Sequence, residues 1–351
     1  MAIGFSQAQL DEIYAFAIDL GRKAGDLLLE RIEKRIASDS ETASAYSEKD
    51  NAVDIVTQTD EDVETFIKTA IQTRYPKHKS VQTTLHLLLQ QAHTDSSPTR
   101  FLGEETYAQG QSREYLIDAH PTWCIDPLDG TVNFTHLFPM FCVSIGFLVA
   151  HRPVIGVIYA PVTNQLFSSC INRGAWLNDP RGSRRLPLRR TPIPPMPPTA
   201  PRGCIFACEW GKDRRDIPGG NLSRKVQSFV NMAAESGGMV HGVRSLGSAT
   251  LDLAYTAMGA VDICWEGGCW EWDVAAGIAI LLEAGGLVTT ANPPANPETD
   301  PIEEVRMGGR LYLAIRPAGP SETETGRQTQ ERTVREVWKR VRELDYTRPG
   351  A

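Results

Sequence analysis

The sequence contains no apolar run of about 18 residues, the length that a membrane-spanning helix needs. Its first residues, MAIGFSQAQLDEIY, also lack the basic start and the continuous apolar segment of a secretory signal. Basic residues are not in excess, because 36 Lys and Arg stand against 43 Asp and Glu and the net charge is −7. A general nucleic-acid-binding surface is normally basic. We therefore expect neither a membrane nor a nucleic-acid partner.

The seven cysteines are scattered along the chain, and their spacing does not match a zinc site. Cys204 and Cys208 lie four positions apart, but no second pair of Cys or His residues accompanies them. Cysteines without a disulfide pattern are typical of a reducing compartment. The sequence therefore predicts a cytoplasmic protein, and any metal site in it should use oxygen ligands.

Composition and length indicate a folded globular protein of one large domain or two. The chain has 351 residues, of which 41% are hydrophobic and 23% charged, close to globular averages. Residues 184–203 are basic and dense in proline, which predicts a surface loop. We expect an α+β part over residues 1–183 that carries most of the site, then this loop, and an α/β part over residues 204–351 that completes the site.

Hydrophobic periodicity predicts helices and strands that are mixed without a fixed repeat. This mixture favours an α+β fold of layered sheets and helices over a simple parallel fold. Gly285 and Gly286 follow the last patterned helix and suit a left-handed C-cap. The predicted helices cover residues 10–28, 61–75, 222–236, 249–258, 273–284 and 329–344, and the main predicted strands cover 49–60, 101–105, 123–125, 141–149, 153–159, 165–170, 204–209, 260–265, 287–290 and 310–316.

Several carboxylates stand at the ends of these apolar segments: Asp60, Glu104, Asp126, Asp129 and Asp273. Each alone is an ordinary turn or cap residue. Together, carboxylates projected from the ends of strands can converge, and converging negative charges require cations. Hard oxygen ligands without His or Cys suit Mg²⁺ or Mn²⁺.

The stretch WCIDPLDGTVNF at residues 123–134 is the most informative part of this pattern. It places Asp126 and Asp129 on one tight turn, where they can flank two ions. Pro127 restricts the turn and so reduces the conformational entropy that is lost when the site closes. Gly130 allows a phosphate to approach the backbone. The residues thus predict metal-assisted hydrolysis of a phosphate ester.

Long motifs in a consistent order resemble the signatures of the inositol monophosphatase family, a group of Mg²⁺-dependent, lithium-sensitive phosphatases. The similarity runs over roughly residues 10–315 and implies a layered α-β-α-β-α sandwich, a homodimer and inhibition by lithium. The C-terminal stretch GGRLYLAIRPAGP also resembles fungal members linked to quinate utilisation. The family motifs are VDIVTQTDEDVE at 53–64, GEET at 103–106, WCIDPLDGTVNFTH at 123–136, GVRSLGSAT at 242–250 and WEWDVAAGIAILLEAGG at 270–286.

The resemblance implies a role for each matching acidic residue. Glu104, Asp126 and the Leu128 carbonyl would hold one Mg²⁺, and Asp126, Asp129 and Asp273 would hold a second. The site would take two or three ions, with Mn²⁺ as an alternative.

The resemblance also assigns the residues that would activate water and bind the substrate. Asp60 and Thr131 would orient and deprotonate the attacking water, and the backbone N–H groups of Gly130 and Thr131 would receive the phosphate. Lys49 would lie on a mobile loop near the metals. The ring hydroxyls of the substrate would contact Gly247, Ser248, Ala249 and Glu266.

The expected substrate is therefore a phosphate monoester of inositol or a similar small polyol. Glu266 favours a small polyol, since a carboxylate there can accept bonds from hydroxyls and would repel a second phosphate. Nucleotide 3′-phosphates and sugar phosphates remain alternatives with the same chemistry. A non-catalytic accessory protein of quinate catabolism is the alternative from a different class.

Residues 79–100, KSVQTTLHLLLQQAHTDSSPTR, depart from the family pattern. They stand where two family elements normally join directly. Either the segment is an insertion of this lineage, or it is a translated intron, which the lack of a patterned role favours.

Overall fold

The computed structural model describes residues 4–37, 47–51, 54–76, 100–104, 117–346 and 348. Most of the segment at 79–100 lies outside these ranges, so its origin stays a prediction. Within the described ranges no helix combines the length and the apolar character needed to cross a bilayer. The helices are α1 (Gln7–Ala37), α2 (Gln58–Arg74), α3 (Thr131–Thr135), α4 (Asn221–Ala233), α5 (Ala249–Met258), α6 (Glu271–Ala284) and α7 (Gly326–Trp338).

The larger sheet has seven strands that pair in chain order, from β3 to β9. All pairs are antiparallel except β3 with β4. Helices cover both faces of this sheet, which explains why β4 and β5 are buried along their whole length. The strands are β3 (Arg100–Gly103), β4 (Thr122–Asp129), β5 (Cys142–Val149), β6 (Arg152–Ala160), β7 (Gln165–Cys170), β8 (Gly174–Asp179) and β9 (Gly182–Arg185).

The smaller sheet has five strands in the order β11-β10-β12-β14-β13. Its strands are β10 (Ile205–Ala207), β11 (Gly242–Arg244), β12 (Ile263–Gly267), β13 (Leu287–Thr289) and β14 (Leu311–Ile315). A separate two-stranded ribbon, β1 (Ser47–Asn51) with β2 (Asp54–Val56), precedes α2.

Three apolar clusters show how the layers stack. Helices α1 and α2 pack on one face of the large sheet. Helices α5 and α6 lie between the two sheets and contact both. Helices α4 and α7 pack on the far side of the small sheet. The observed order, helix, sheet, helix, sheet, helix, confirms the predicted α-β-α-β-α sandwich. The division into parts at 1–183 and 204–351 remains a prediction.

Helix α6 lies unusually close to the large sheet, and this contact places the site. A Cβ at Gly156 would lie 2.3 Å from the Ala276 carbonyl oxygen, so only glycine allows the approach. At the start of the helix, the Ser144 hydroxyl donates to the Trp272 carbonyl at 3.1 Å. Because Ser144 pairs with Asp126 in the sheet, the first turn of α6 is held beside β4.

Several sequence predictions need correction. The strand predicted over residues 49–60 is in fact β1, β2 and the first turn of α2. Thr57 is the N-cap of α2, and the Asp60 carboxylate accepts from the Thr57 backbone N–H at 2.9 Å. This capping box starts the helix before Asp60. Strands β8, β9 and β11 were not predicted. Helix α5 has the predicted bounds, and α6 ends at a left-handed Gly285 as expected.

Candidate metal centre and substrate cavity

Strand β4 presents two carboxylates because its pairing with β5 is irregular between Asp126 and Asp129. The intervening Pro127 has no N–H to give to a sheet. The Asp126 Oδ1 atom accepts from the Leu128 backbone N–H at 2.9 Å, which closes the bend. Both carboxylates are thereby directed to the same end of the strand, as the sequence predicts for this turn.

Asp273 joins these two residues from the first turn of α6. One carboxylate oxygen from each of Asp126, Asp129 and Asp273 lies within 4.8 Å of the others. The Asp273 Oδ2 atom accepts from the Trp270 backbone N–H at 2.7 Å, which fixes the carboxylate. Glu104 follows β3 and lines the same cavity. The structure therefore brings the four predicted acidic ligands to one place.

The electrostatics of this acidic cluster fit a bound cation. Burial, followed by the charges of Glu104 and Asp129, raises the pKa of Asp126 well above its usual range. Burial likewise raises the pKa of Asp129 to about 6 and that of Asp273 to about 8. A divalent cation would offset this repulsion, and the all-oxygen donor set suits Mg²⁺ or Mn²⁺.

Gly130 directly follows β4, and its backbone adopts the left-handed conformation, with φ of 88°. A Cβ at this position would meet the Met140 carbonyl oxygen at 2.8 Å. Both conditions require glycine, which explains its place directly after the second aspartate. Gly130 and Thr131 line the cavity next to the acidic cluster.

The Thr131 hydroxyl lies 3.1 Å from Asp60 Oδ1 and 3.1 Å from the Leu128 carbonyl oxygen. Thr131 and Asp60, to which the family resemblance assigns one shared role, are thus in direct contact. Asp60 is fully buried, and its other oxygen is held by the N-cap Thr57. The helix cap therefore fixes the carboxylate that the hydroxyl touches.

The residues at the start of α5 differ in what they face. Gly247 and Ala249 line the cavity, whereas Ser248 does not. The Ser248 hydroxyl is buried, donates to Asp129 and accepts from the Leu251 N–H as the N-cap of α5. The Ser248 side chain therefore positions Asp129, and its predicted substrate contact stays a prediction. Lys49 lies in β1, and its side chain is outside what the structure describes.

Glu266 lines the cavity, but it is paired with a lysine that the sequence analysis missed. Lys225 on α4 is completely buried, and its ammonium lies 3.0 Å from Glu266 Oε1. The same oxygen accepts from the Gly267 N–H at 2.8 Å, and Oε2 accepts from the Glu209 N–H at 2.9 Å. Most hydrogen-bond acceptor positions of the Glu266 carboxylate are therefore already used, and the ammonium of Lys225 offsets its negative charge.

The cavity above the acidic cluster has a volume of about 380 Å³. One wall comes from the turn after β4, and another from the start of α5. A third wall is the loop after β10, which the sequence analysis did not assign to the site. The residues of that loop at the cavity are Glu209, Trp210, Gly211, Lys212 and Arg214.

A layered sandwich with a buried cluster of carboxylates under an open cavity is typical of metal-dependent phosphatases. The chain belongs to the inositol monophosphatase family, whose model matches residues 9–342. The match covers every described residue of the acidic cluster and the cavity wall.

Relatives and solved structures agree with this assignment. The chain is 71% identical to protein qutG of Emericella nidulans, over 98% of this chain and 97% of that protein. It is 36% identical to inositol monophosphatase 2 of Saccharomyces cerevisiae, over 86% and 88%. The fold is similar to the inositol monophosphatase of Anabaena, with a TM-score of 0.62 and 26% identity over 96% of this chain and 99% of that one.

Proposed function

We propose that this protein hydrolyses a phosphate monoester of inositol or a similar small polyol in a Mg²⁺-dependent reaction. The observation that carries the proposal is the convergence of Asp126, Asp129 and Asp273 on one point, with oxygens within 4.8 Å of each other. The inositol monophosphatases among its relatives support the substrate class. We further propose that it acts as a cytoplasmic homodimer and is inhibited by lithium.

In this proposal the acidic cluster holds two or three ions, and Mn²⁺ can replace Mg²⁺. Glu104, Asp126 and the Leu128 carbonyl would hold one ion, and Asp126, Asp129 and Asp273 would hold a second. Bound Mg²⁺ supplies positive charge that stabilises the attacking and leaving oxygens of an in-line displacement.

Thr131 and Asp60 prepare the water that attacks phosphorus. The hydroxyl is held between Asp60 and the Leu128 carbonyl, so its own lone pairs are directed away from both acceptors. A water that donates to Thr131 is thereby oriented, and its proton passes to the hydroxyl as the proton of Thr131 moves to Asp60.

The remaining cavity residues bind the two ends of the substrate. The backbone N–H groups of Gly130 and Thr131 receive the phosphate. Gly247 and Ala249 contact the polyol, and Glu266 has one further acceptor position for a hydroxyl.

The direct test is phosphate release by metal-stripped protein before and after addition of Mg²⁺. The substrates are inositol monophosphate, a nucleotide 3′-phosphate and a sugar monophosphate. We expect Mg²⁺-dependent release that is fastest from inositol monophosphate and is suppressed by lithium. Faster release from either other substrate assigns the same chemistry to that substrate. The proposal fails if Mg²⁺ elicits no release from any of the three.

The name of one relative favours a second candidate. The 62% identical quinic acid degradation cluster protein x of Neurospora crassa points towards quinate catabolism. A non-catalytic accessory role there predicts ligand binding without turnover. Calorimetry with the same phosphates would reveal it as binding in the absence of phosphate release.

A further inference from the structure

The side chain of Glu209 holds a segment of backbone on the neighbouring wall of the cavity. Its Oε1 atom accepts from the Gly247 N–H at 2.8 Å and also from the Leu246 N–H. Its Oε2 atom accepts from the Ser245 hydroxyl at 2.9 Å. All four residues line the cavity, so one carboxylate joins the loop after β10 to residues 245–247, which lead into α5.

The backbone of Glu209 is itself fixed by two buried side chains. Its N–H donates to Glu266 Oε2 at 2.9 Å, and its carbonyl oxygen accepts from the Lys225 ammonium at 2.6 Å. Lys225 also donates to Glu266, and both of these side chains are buried. The Glu209 carboxylate therefore extends from a rigid point, and it connects residues 245–247 to the predicted polyol contact Glu266.

The peptide of Gly247 needs such a restraint. Gly247 lies in the left-handed region, with φ of 76°, and glycine loses more conformational freedom on folding than any other residue. The Asn133 amide donates to the Leu246 carbonyl oxygen at 2.7 Å, and Ser248 caps α5 on the other side. Between these two points the N–H groups bond to Glu209, so its carboxylate determines how this backbone faces the cavity.

The same bonds decide which part of a ligand this wall can receive. Adjacent backbone N–H groups before a helix form a place that favours anions. The carboxylate of Glu209 already occupies the N–H groups of Leu246 and Gly247, and its negative charge opposes a further anion. This wall therefore suits an uncharged part of the substrate that carries hydroxyls, while the phosphate lies with the metal at the acidic cluster.

We propose that Glu209 is a positioning residue that fixes residues 245–247 and thereby determines the affinity of the cavity for the polyol part of the substrate. This inference rests on the proposed function, in which Gly247 and Ala249 contact the polyol. Glu209 acts through the backbone that it holds, whereas Glu266 is predicted to contact a hydroxyl itself. The affinity for the phosphate part should then be independent of the Glu209 side chain.

The kinetic test compares inositol monophosphate with p-nitrophenyl phosphate, a monoester that has no polyol. Glu209→Ala removes the bonds to residues 245–247. We expect KM for inositol monophosphate to rise about tenfold, while kcat for both compounds and KM for p-nitrophenyl phosphate change by less than about threefold. General damage to the fold would affect both compounds alike. Equal changes for the two compounds, or an unchanged KM for inositol monophosphate, overturn the inference.

Two further variants show whether the bonds of this carboxylate are the cause. Glu209→Gln keeps an oxygen for both N–H groups, and its amide can donate to the Ser245 hydroxyl, so KM should stay within about threefold of the wild type. Glu283→Ala is the matched control, because Glu283 accepts from the N–H groups of Asn172 and Gly174 at 3.2 and 3.0 Å in a turn outside the cavity wall. A rise in KM in the control equal to that in Glu209→Ala, or no rescue by glutamine, contradicts the inference.

Hydrogen exchange and calorimetry separate this inference from the proposed function. Amide exchange of the peptide over residues 245–249 should be faster in Glu209→Ala than in Glu209→Gln, and equal exchange overturns the inference. Absence of turnover on both compounds contradicts the proposed function alone. In that case titration with inositol monophosphate and Mg²⁺ decides, because about tenfold weaker binding by Glu209→Ala supports the inference and equal binding overturns it.

Discussion

The Thr131 hydroxyl lies 3.1 Å from Asp60 across 71 positions of the sequence. This contact joins the N-terminus of α2 to the turn that carries the acidic cluster. Asp60 is at once the capping-box residue of its helix and the acceptor for Thr131. The helix cap and the proposed water-activating pair are therefore one structural unit.

Replacement of Thr131 tests the role of this hydroxyl. Thr131→Val keeps the shape of the side chain but removes the proton acceptor, so we expect kcat to fall by about 10²-fold or more with little change in KM. Thr131→Ser keeps the hydroxyl and should stay within about tenfold of the wild type. Steady-state kinetics on inositol monophosphate measure both. Near-normal kcat in Thr131→Val would remove Thr131 from the mechanism.

A buried ion pair supports the start of α6. Glu271 is fully buried and pairs with Arg348, whose guanidinium also lies 5.0 Å from the centre of the Trp270 ring. Arg348→Met leaves the Glu271 carboxylate without this cation, and we expect the free energy of unfolding to fall by about 3–5 kcal/mol. The double variant Glu271→Gln/Arg348→Met should recover much of the loss. Urea denaturation of the three proteins measures this, and a loss below about 1 kcal/mol in Arg348→Met contradicts it.

Asp252 on α5 should make stability depend on pH. Its carboxyl group is fully buried next to Glu209. Burial, and then the charge of Glu209, raise its pKa well above the usual range. A pKa that is higher in the folded state gives stability that is complete below the unfolded pKa of about 3.9 and is lost as pH rises through the folded pKa.

The asparagine side chain in Asp252→Asn is neutral at every pH, so the variant lacks this contribution to the pH dependence of the free energy of unfolding. We expect the wild type to lose more stability than Asp252→Asn as pH rises from the unfolded pKa of about 3.9 through the folded pKa. Urea denaturation of both metal-free proteins at several pH values tests the prediction, because groups distant from Asp252 titrate alike in the two proteins. Parallel stability curves would show that Asp252 does not titrate differently in the folded state.

The sequence was sufficient for the features that are local. The helix at 249–258 depends on neighbouring residues and was predicted with the correct bounds. The strand predicted to end at residue 125 instead continues as β4 to Asp129, with an irregular pairing between Asp126 and Asp129 where a turn was predicted. Asp60 was predicted to end a strand, because the alternation of apolar and polar residues in VDIVTQTD is typical of a strand. The same stretch also contains Thr57 and Asp60, which form the capping box of α2 and so start a helix instead.

The parts that could not be predicted depend on packing between distant segments. Nothing near Lys225 in the sequence shows that it is buried, since its partner Glu266 lies 41 positions away. The same holds for Glu271 and Arg348, which are 77 positions apart. Ser248 could be identified as a helix cap from sequence, but its bond to Asp129 required the fold.

The central claim is that the carboxylates of the acidic cluster hold the metal ions that hydrolysis requires. The most direct test is the Mg²⁺ dependence of phosphate release from inositol monophosphate by Asp126→Asn, with Asp252→Asn as a buried aspartate control outside the cluster. We predict that Asp126→Asn folds like the wild type but loses at least about 10³-fold in kcat, while Asp252→Asn remains active. Near-normal turnover by Asp126→Asn at saturating Mg²⁺ would contradict the account.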